Sequence, residues 1–141
     1  MQVQPYLFFN GRCNEALAFY RDALGAEVVM KMLFKDSPEP SACPTAIADN
    51  VMHASVRIGD SMLMVSDGAG GAPGEFKNFS LSLTPTNIGD ADKLFNALAD
   101  GGNVQMPLTK TFFSPRFGMV ADRFGVSWMI YVPGGEPGTQ K

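Results

Sequence analysis

The side chains of this sequence that could perform chemistry are few. His53 is the only histidine among 141 residues, and Glu27 and Asp122 are almost the only carboxylates within the predicted strands. His53 and Asp122 can be combined with Ser55 or Ser82 into a Ser-His-Asp triad, but no nucleophile-elbow motif supports that arrangement. A lone histidine in a strand is also more often a hydrogen-bonded structural residue than a metal ligand. Catalysis by these residues is therefore an alternative and not the first expectation.

Arg116 is the candidate anchor for an anionic ligand. It begins a predicted strand shortly after the aromatic pair Phe112–Phe113 and directly after Pro115. A guanidinium in that position could stack on an aromatic ring while it donates paired hydrogen bonds to a carboxylate. The competing interpretation is a salt bridge to Asp122 or to another carboxylate. Asp122 itself is expected to form an ion pair or to stabilise a turn.

Composition excludes several classes of partner. The formal net charge is −3 and no basic cluster occurs, so the chain offers little to a nucleic acid or to an acidic membrane surface. No apolar run approaches the roughly 20 residues that span a bilayer, and the N-terminus lacks the basic region of a signal peptide. We therefore expect a cytoplasmic protein. The two cysteines, Cys13 and Cys43, lack the C-x-x-C spacing of redox and zinc sites.

An internal repeat indicates how the helices and strands that carry these residues are arranged. Asn14 to Val28 aligns with Asp90 to Val104 at a constant offset, with Gly25 on Gly101. Ile58 to Val65 aligns in the same way with Phe124 to Tyr131. A repeat of about 60 to 70 residues is too long for a solenoid and is the size of one module of a two-module domain.

Each copy is predicted to fold as β-α-β-β-β. In the first copy, β-branched and aromatic runs predict strands, and the apolar spacing after Asn10–Gly11 predicts a helix that ends at a left-handed Gly25. The predicted strands of the two copies are Val3 to Phe9, Glu27 to Phe34, Met52 to Ile58 and Ser61 to Val65, then Phe79 to Leu83, Val104 to Met106, Phe117 to Asp122 and Trp128 to Val132. The second helix is predicted to begin near Asp90 and to end at Gly101–Gly102.

These elements give one domain over residues 1–133, followed by a tail over 134–141. The first module covers about 1–67, a glycine-rich linker covers 68–77, and the second module covers about 78–133. The proline-containing segment from Asp36 to Asn50 falls outside the repeat and is predicted to be an irregular loop. A loop of that length is either a lid over a site or a tolerated insertion.

Short motifs along the chain resemble a known superfamily. They are Pro5 to Gly11, Ala16 to Tyr20, Met52 to Ala54 with Ile58 to Asp60, Arg116 to Gly118, and Asp122 to Val126 with Trp128. The chain resembles the vicinal oxygen chelate superfamily of glyoxalase I, bleomycin-resistance proteins and extradiol dioxygenases. Within it, the chain is similar to the PhnB-like group, labelled 3-demethylubiquinone-9 3-methyltransferase-like. The resemblance implies an α+β fold in which two tandem βαβββ modules form a curved mixed sheet around a cup.

The metal that the superfamily typically holds in this cup has no evident ligands here. The resemblance places the four ligand positions near Pro5, Leu63, Ser80 or Leu81, and Met129. Proline and leucine have no side-chain donor, and a thioether suits soft copper(I) better than magnesium, manganese, iron(II) or zinc. The glycine-rich stretch from Gly68 to Gly74 leads into a strand, not into the helix that a nucleotide-type S-adenosylmethionine site requires. We therefore expect neither a metal nor another cofactor.

The remaining prediction is a small-molecule-binding protein with a largely apolar cup. Its candidate ligand-binding residues are Tyr6, Phe9, His53, Ser82, Phe113, Arg116, Phe117 and Trp128. Side chains alternate between the two faces of a strand, so only about half of them can face the cup. The alternatives are an enzyme with a non-standard site around His53 and Arg116, and a structural module whose own side chains fill the cup. By resemblance, and because sheet edges need protection, a homodimer is expected.

Overall fold

A computed structural model describes residues 1–38, 47–68 and 74–134. The chain divides into two compact units, Met1–Gly74 and Glu75–Lys141, and each contains one βαβββ module. The first module consists of β1 Tyr6–Phe8, α1 Cys13–Leu24, β2 Glu27–Leu33, a short 3₁₀ turn Phe34–Asp36, β3 Val51–Ile58 and β4 Ser61–Ser66. The second consists of β5 Leu81–Leu83, α2 Ile88–Ala99, β6 Asn103–Thr109, β7 Phe117–Ala121 and β8 Ser127–Tyr131.

The strands form two four-stranded mixed sheets, which confirms the α+β class and the repeated module. The strand order is β1-β4-β3-β2 in the first sheet and β5-β8-β7-β6 in the second. The first strand of each module runs parallel to the last, and the other pairs are antiparallel. Neither sheet closes into a barrel, so each has two edge strands, β1 and β2 in the first sheet and β5 and β6 in the second.

Both helices end where the sequence predicts. Gly25 and Gly101 have φ values of 68° and 78°, the left-handed conformation that glycine adopts without steric cost. The backbone amide of Gly25 donates to the Arg21 carbonyl and so closes the last turn of α1. The predicted start of α2 at Asp90 is two residues late, because the side chain of Asn87 accepts a hydrogen bond from the Asp90 amide and caps the helix there.

Three predicted strands differ by more than one residue in length from the observed ones. The strand predicted from Val3 is confined to Tyr6–Phe8, because β1 pairs only with Met64 to Ser66 of β4. Phe79 precedes β5. Conversely, β6 continues beyond Met106 to Thr109 and includes Pro107, which an edge strand tolerates because its outer side needs no amide donor.

A β-bulge occurs at the same place in β2 and β6, the equivalent edge strands of the two sheets. The register of β2 against β3 shifts between Val28 and Met30, and that of β6 against β7 shifts between Val104 and Met106. These residues are equivalent in the internal repeat. The extra residue changes which face the following side chains occupy, so Met30 and Met106 each lie on the opposite face from the valine two positions before them.

The buried face of each sheet supports its helix. In the first unit, Ala54, Val56 and Val65 are almost fully buried together with Tyr20 of α1. The buried carboxylate of Asp67 fixes the surrounding backbone, because it accepts hydrogen bonds from the amides of Gly11, Cys13 and Val51 at 2.7–2.8 Å. In the second unit, Val120, Ile130 and Trp128 of the sheet are buried with Phe95 and Leu98 of α2.

Three sequence segments, residues 39–46, 69–73 and 135–141, lie outside the described residues. Most of the predicted loop from Asp36 to Asn50, the centre of the predicted linker and the predicted tail therefore fall there, as does Cys43. In the part of the chain that the structure does describe, neither helix is long and apolar enough to cross a membrane.

Candidate functional site

The candidate site lies on the face of the first sheet that α1 does not cover. Along β3, Ala54 and Val56 are buried on the helix side, and the alternation of a strand therefore places His53, Ser55 and Arg57 on the other face. In β4 the same alternation buries Leu63 and Val65 and leaves Met62 and Met64 on the open face. The open face thus carries a polar row along β3 between methionines.

A hydrogen-bonded chain of three side chains forms the centre of this face. The Tyr6 hydroxyl lies 2.8 Å from Nδ1 of His53, and the Ser55 hydroxyl lies 3.3 Å from Nε2 of the same ring. One nitrogen of a neutral imidazole donates and the other accepts, so the hydroxyl on one side donates to the ring while the other accepts from it. The sequence predicted Tyr6 and His53 as ligand-binding residues and offered Ser55 only as a possible triad serine, although its position two residues after His53 puts it on the same face.

Apolar and polarizable side chains surround this chain. The Tyr6 ring stacks on Phe8 with centroids 5.0 Å apart and lies 5.5 Å from the His53 ring. On the edge strand, Met32 is directly opposite His53 and Met30 is opposite Ser55, while Met64 is opposite Ser55 on the other side. Flexible thioethers adapt to ligands of different shape and make favourable contacts with aromatic rings. The face can therefore present an apolar surface with one polar centre.

Apart from Phe9, the remaining predicted site residues lie in the second unit. Ser82 is exposed and sits opposite Met129, which is itself opposite Met119. Phe113 is partly exposed, and its ring meets that of Phe117 edge-on at 5.1 Å. This face contains no histidine, and its hydrogen-bonded hydroxyls are Ser80 and Ser127, whose oxygens are 2.7 Å apart.

Arg116 forms a paired salt bridge within the second unit. Its Nε and Nη2 donate to the two carboxylate oxygens of Asp92 on α2 at 2.9 and 3.1 Å. This hydrogen bonding lowers the pKa of Asp92 and raises the pKa of Arg116. Of the two interpretations of Arg116, the structure therefore shows the salt bridge, and its partner is Asp92 and not Asp122. The Nε–Nη2 edge of the guanidinium is thus already used by Asp92.

Asp122 has the turn-stabilising role. It is buried, and one oxygen accepts hydrogen bonds from the amides of Phe124 and Val126 at 2.9 and 3.1 Å. Its other oxygen accepts from the indole nitrogen of Trp128 at 2.9 Å. These three contacts are internal to the second unit.

Phe9 and Trp128 lie in the cores of their units and not on an open face. Their exposed fractions are 5 % and 2 %. Phe9 packs against Tyr20 of α1 with the ring centroids 6.2 Å apart, and Trp128 is held by Asp122. Each ring occupies the helix-facing side of its sheet region, so neither is exposed to a ligand on the open face. These two of the five aromatic residues predicted for the pocket therefore contribute to the cores of their units.

The residues present do not fit the metal centre that the resemblance implies. Leu63 is 4 % exposed and faces the helix side, so even a donor at that position would point into the core. Its neighbours on the open face, Met62 and Met64, and Met129 of the second unit offer thioethers, which are poor ligands for hard or borderline cations. Across residues 1–38, 47–68 and 74–134, no group of three or more His, Cys, Asp or Glu side chains converges on one point.

Comparison with known proteins identifies the family. A sequence model described as the Glyoxalase/Bleomycin resistance protein/Dioxygenase superfamily matches residues 2–130. The chain belongs to this superfamily. Superfamily membership agrees with the two four-stranded mixed sheets and confirms the resemblance drawn from the sequence motifs.

Similar proteins within the superfamily match over nearly their whole length. Protein YjdN of Escherichia coli (strain K12) is 34% identical over 145 residues, which cover 97% of this chain and 99% of that protein. The crystal structure of protein PA1353 from Pseudomonas aeruginosa is 44% identical with a TM-score of 0.84, covering 94% of this chain and 98% of that one. A PhnB protein from Bacillus cereus is 27% identical with a TM-score of 0.78, covering 94% and 99%. The narrower resemblance to PhnB-like proteins is thereby supported as well.

Proposed function

We propose that this protein binds a small organic molecule on the open face of the first sheet, without a metal in the usual position of the superfamily. The hydrogen-bonded chain of Tyr6, His53 and Ser55 carries this proposal, because it places the only histidine of the chain among methionine and aromatic side chains. Small-molecule sites combine apolar surface with a few polar groups that fix orientation. Membership of a superfamily that includes bleomycin-resistance proteins supports the same function.

The two hydroxyls are the groups that contact the ligand. Each ring nitrogen of His53 already faces a hydroxyl of the protein, whereas a hydroxyl can donate one hydrogen bond and accept two. Tyr6 and Ser55 therefore keep capacity for a carbonyl, amide or hydroxyl of the ligand. His53 holds their orientation. The ligand's apolar part then lies against Phe8 and the methionines of β2 and β4.

A screen of small polar aromatic and aliphatic compounds by ¹⁵N-NMR tests this proposal. Compounds that bind should shift the amide resonances of β3 and β4. Tyr6→Phe should weaken their binding by roughly 0.5–1.5 kcal/mol, the contribution of one hydrogen bond. Tyr131→Phe is the matched control, because Tyr131 is a partly exposed tyrosine of the second sheet, opposite Phe117. Equal losses in both variants, or shifts confined to the second unit, would refute the proposed site.

An enzyme is the second candidate, and the same hydrogen-bonded chain favours it. A histidine with a hydroxyl on each ring nitrogen can take a proton from one side while it gives one to the other, as general acid–base catalysis requires. Incubating each bound compound with the wild type and with His53→Gln, and following it by NMR, separates the candidates. Conversion by the wild type alone would establish an enzyme, and unchanged compound would support binding without turnover.

We also propose that the protein is a cytoplasmic homodimer. Several large apolar side chains are exposed on the first unit, including Phe8 at 51 % and Val29 at 49 %, and burial of such surface drives association. The bulges in β2 and β6 oppose continuous pairing at the sheet edges, so contact through faces or loops is favoured. Sedimentation at micromolar concentration tests the dimer, and a mass near the 15.2 kDa of one chain would exclude it.

A further inference from the structure

A groove runs between helix α1 and strand β2 in the first unit. Its volume is about 440 Å³, within the range of small-molecule sites. The helix contributes Asn14, Leu17, Ala18 and Arg21, whose spacing places all four on one side of the helix. The seven steps from Asn14 to Arg21, at about 1.5 Å rise each, make this side roughly 10 Å long. The groove is therefore elongated along the helix axis.

The floor of this groove is apolar, and a lysine lies beside it. Leu17, Ala18, Ala26 and Val28 form an apolar floor, and Val28 is 42 % exposed although it is a large apolar residue. Lys31 lines the groove from the strand, and its ammonium donates to the side-chain carbonyl of Asn14 at 2.8 Å. The combination is a strip of apolar surface with a cation beside it.

The positive charge of Lys31 is not neutralised. Its hydrogen-bond partner Asn14 is an uncharged amide, and within the described ranges no carboxylate forms a salt bridge with Lys31. Glu27 also lines the groove, but its carboxylate is paired with Arg57 on the open face of the sheet. Arg21 lies beside Asp22 at 3.3 Å. Of the three charged groups that line the groove, Arg21, Glu27 and Lys31, only Lys31 therefore has no partner of opposite charge within the described residues.

The groove is separate from the candidate site. Lys31 is opposite the fully buried Ala54 of β3 and therefore lies on the helix side of the sheet, whereas Met32 is opposite His53 on the open side. The sheet itself stands between the two. A ligand in the groove therefore makes no contact with Tyr6 or Ser55.

We propose that this groove is a second binding site, for a small organic anion with an elongated apolar part, of the class of medium-chain monocarboxylates. The carboxylate pairs with Lys31 and also accepts a hydrogen bond from the Asn14 amide group. The apolar chain lies on Ala18 and covers Val28. Short acids should bind weakly, because they have no apolar chain to bury on the roughly 10 Å of apolar floor. Cationic amphiphiles should bind weakly, because Lys31 repels their charge.

Octanoate, acetate and octylammonium are the probes that separate these contributions, with ¹⁵N-NMR of the full chain as the readout. Octanoate should produce saturable shifts at Leu17, Ala18 and Lys31, while acetate and octylammonium should not. Lys31→Gln should weaken octanoate by up to about five-fold, the upper value for an exposed ion pair. Ala18→Phe should fill the groove and abolish binding. Lys93→Gln, which alters an exposed lysine of α2, should leave the affinity unchanged.

The proposal is overturned if octylammonium binds as well as octanoate, if Lys31→Gln binds octanoate with wild-type affinity, or if the shifts map to the open face. If Ala18→Phe loses its native spectrum, the comparison of octanoate affinity between Lys31→Gln and Lys93→Gln still tests the proposal. Tyr6→Phe distinguishes the two sites, because it should keep octanoate binding in the groove whether or not the open face has a ligand.

Discussion

Replacing Asp67 by asparagine tests how strongly one buried carboxylate holds the first unit together. Asp67 is 2 % exposed, and Asp67→Asn changes neither its size nor its shape. One oxygen continues to accept from the Gly11 and Cys13 amides, but the new NH₂ group faces the Val51 amide, which is itself a donor. Loss of that charged hydrogen bond costs about 1.5–3 kcal/mol, and weakening of the other two adds roughly 1 kcal/mol each. We expect a total destabilisation of about 3–5 kcal/mol.

Urea unfolding followed by circular dichroism measures this loss directly. Asp60→Asn is the matched control, because Asp60 is exposed in the turn between β3 and β4 and its replacement should change the free energy of unfolding by at most about 0.5 kcal/mol. The midpoint for Asp67→Asn should fall while the slope with urea stays unchanged. A loss below about 1 kcal/mol for Asp67→Asn would refute the role assigned to the carboxylate, because a single neutral hydrogen bond already accounts for that much.

Three further predictions concern metal content, thiol reactivity and pH. Elemental analysis of the purified protein should find no stoichiometric divalent metal. A content of about one metal ion per chain that is lost in His53→Ala would contradict the proposed function. Burial, with the nearby Asp67 charge, raises the pKa of Cys13 to about 12. In a Cys43→Ser variant, the Cys13 thiol should therefore react with alkylating reagents only after unfolding. Rapid labelling of Cys13 in the folded protein would be inconsistent with its burial. The Arg116 hydrogen bonds lower the pKa of Asp92 from 3.8, so the ion pair stabilises the fold above pH 3.8 and this stabilisation disappears as the pH falls through the lowered pKa. The difference in unfolding free energy between wild type and Asp92→Asn should therefore narrow in acid. A difference that stays constant with pH would exclude the ion pair as the cause of that difference.

The features that the sequence predicted correctly are those set by local chemistry. Gly25 and Gly101 mark the helix ends because few other residues adopt a positive φ without strain, and the equivalent positions of the two copies then define the module. The choice of Tyr6 and His53 as site residues rested on their chemical types and stays a prediction. Their contact depends on pairing within the sheet, which brings β1 beside β4 and β4 beside β3.

The features that could not be predicted depend on strand register and on distant partners. Motif alignment placed a ligand position at Leu63, but an error of one residue in a strand changes the face, and the structure turns Leu63 into the core. Phe9 and Trp128 are buried for the same reason. The partner of Arg116 is Asp92, on a helix 24 residues earlier in the chain, and no local pattern indicates that pairing over one with Asp122.

The bulge in β2 also matters while the chain is still being synthesised. At about 5–20 residues per second, the ribosome needs several seconds to add the second unit after the first has emerged. During that interval the apolar residues Val28, Val29 and Met30 of the edge strand are exposed to neighbouring nascent chains. A break in the hydrogen-bonding ladder at that point, followed by the charge of Lys31, leaves no long flat edge on which another strand can grow. Removing the bulge by deleting Val29 would therefore be expected to lower the yield of native protein through aggregation during synthesis.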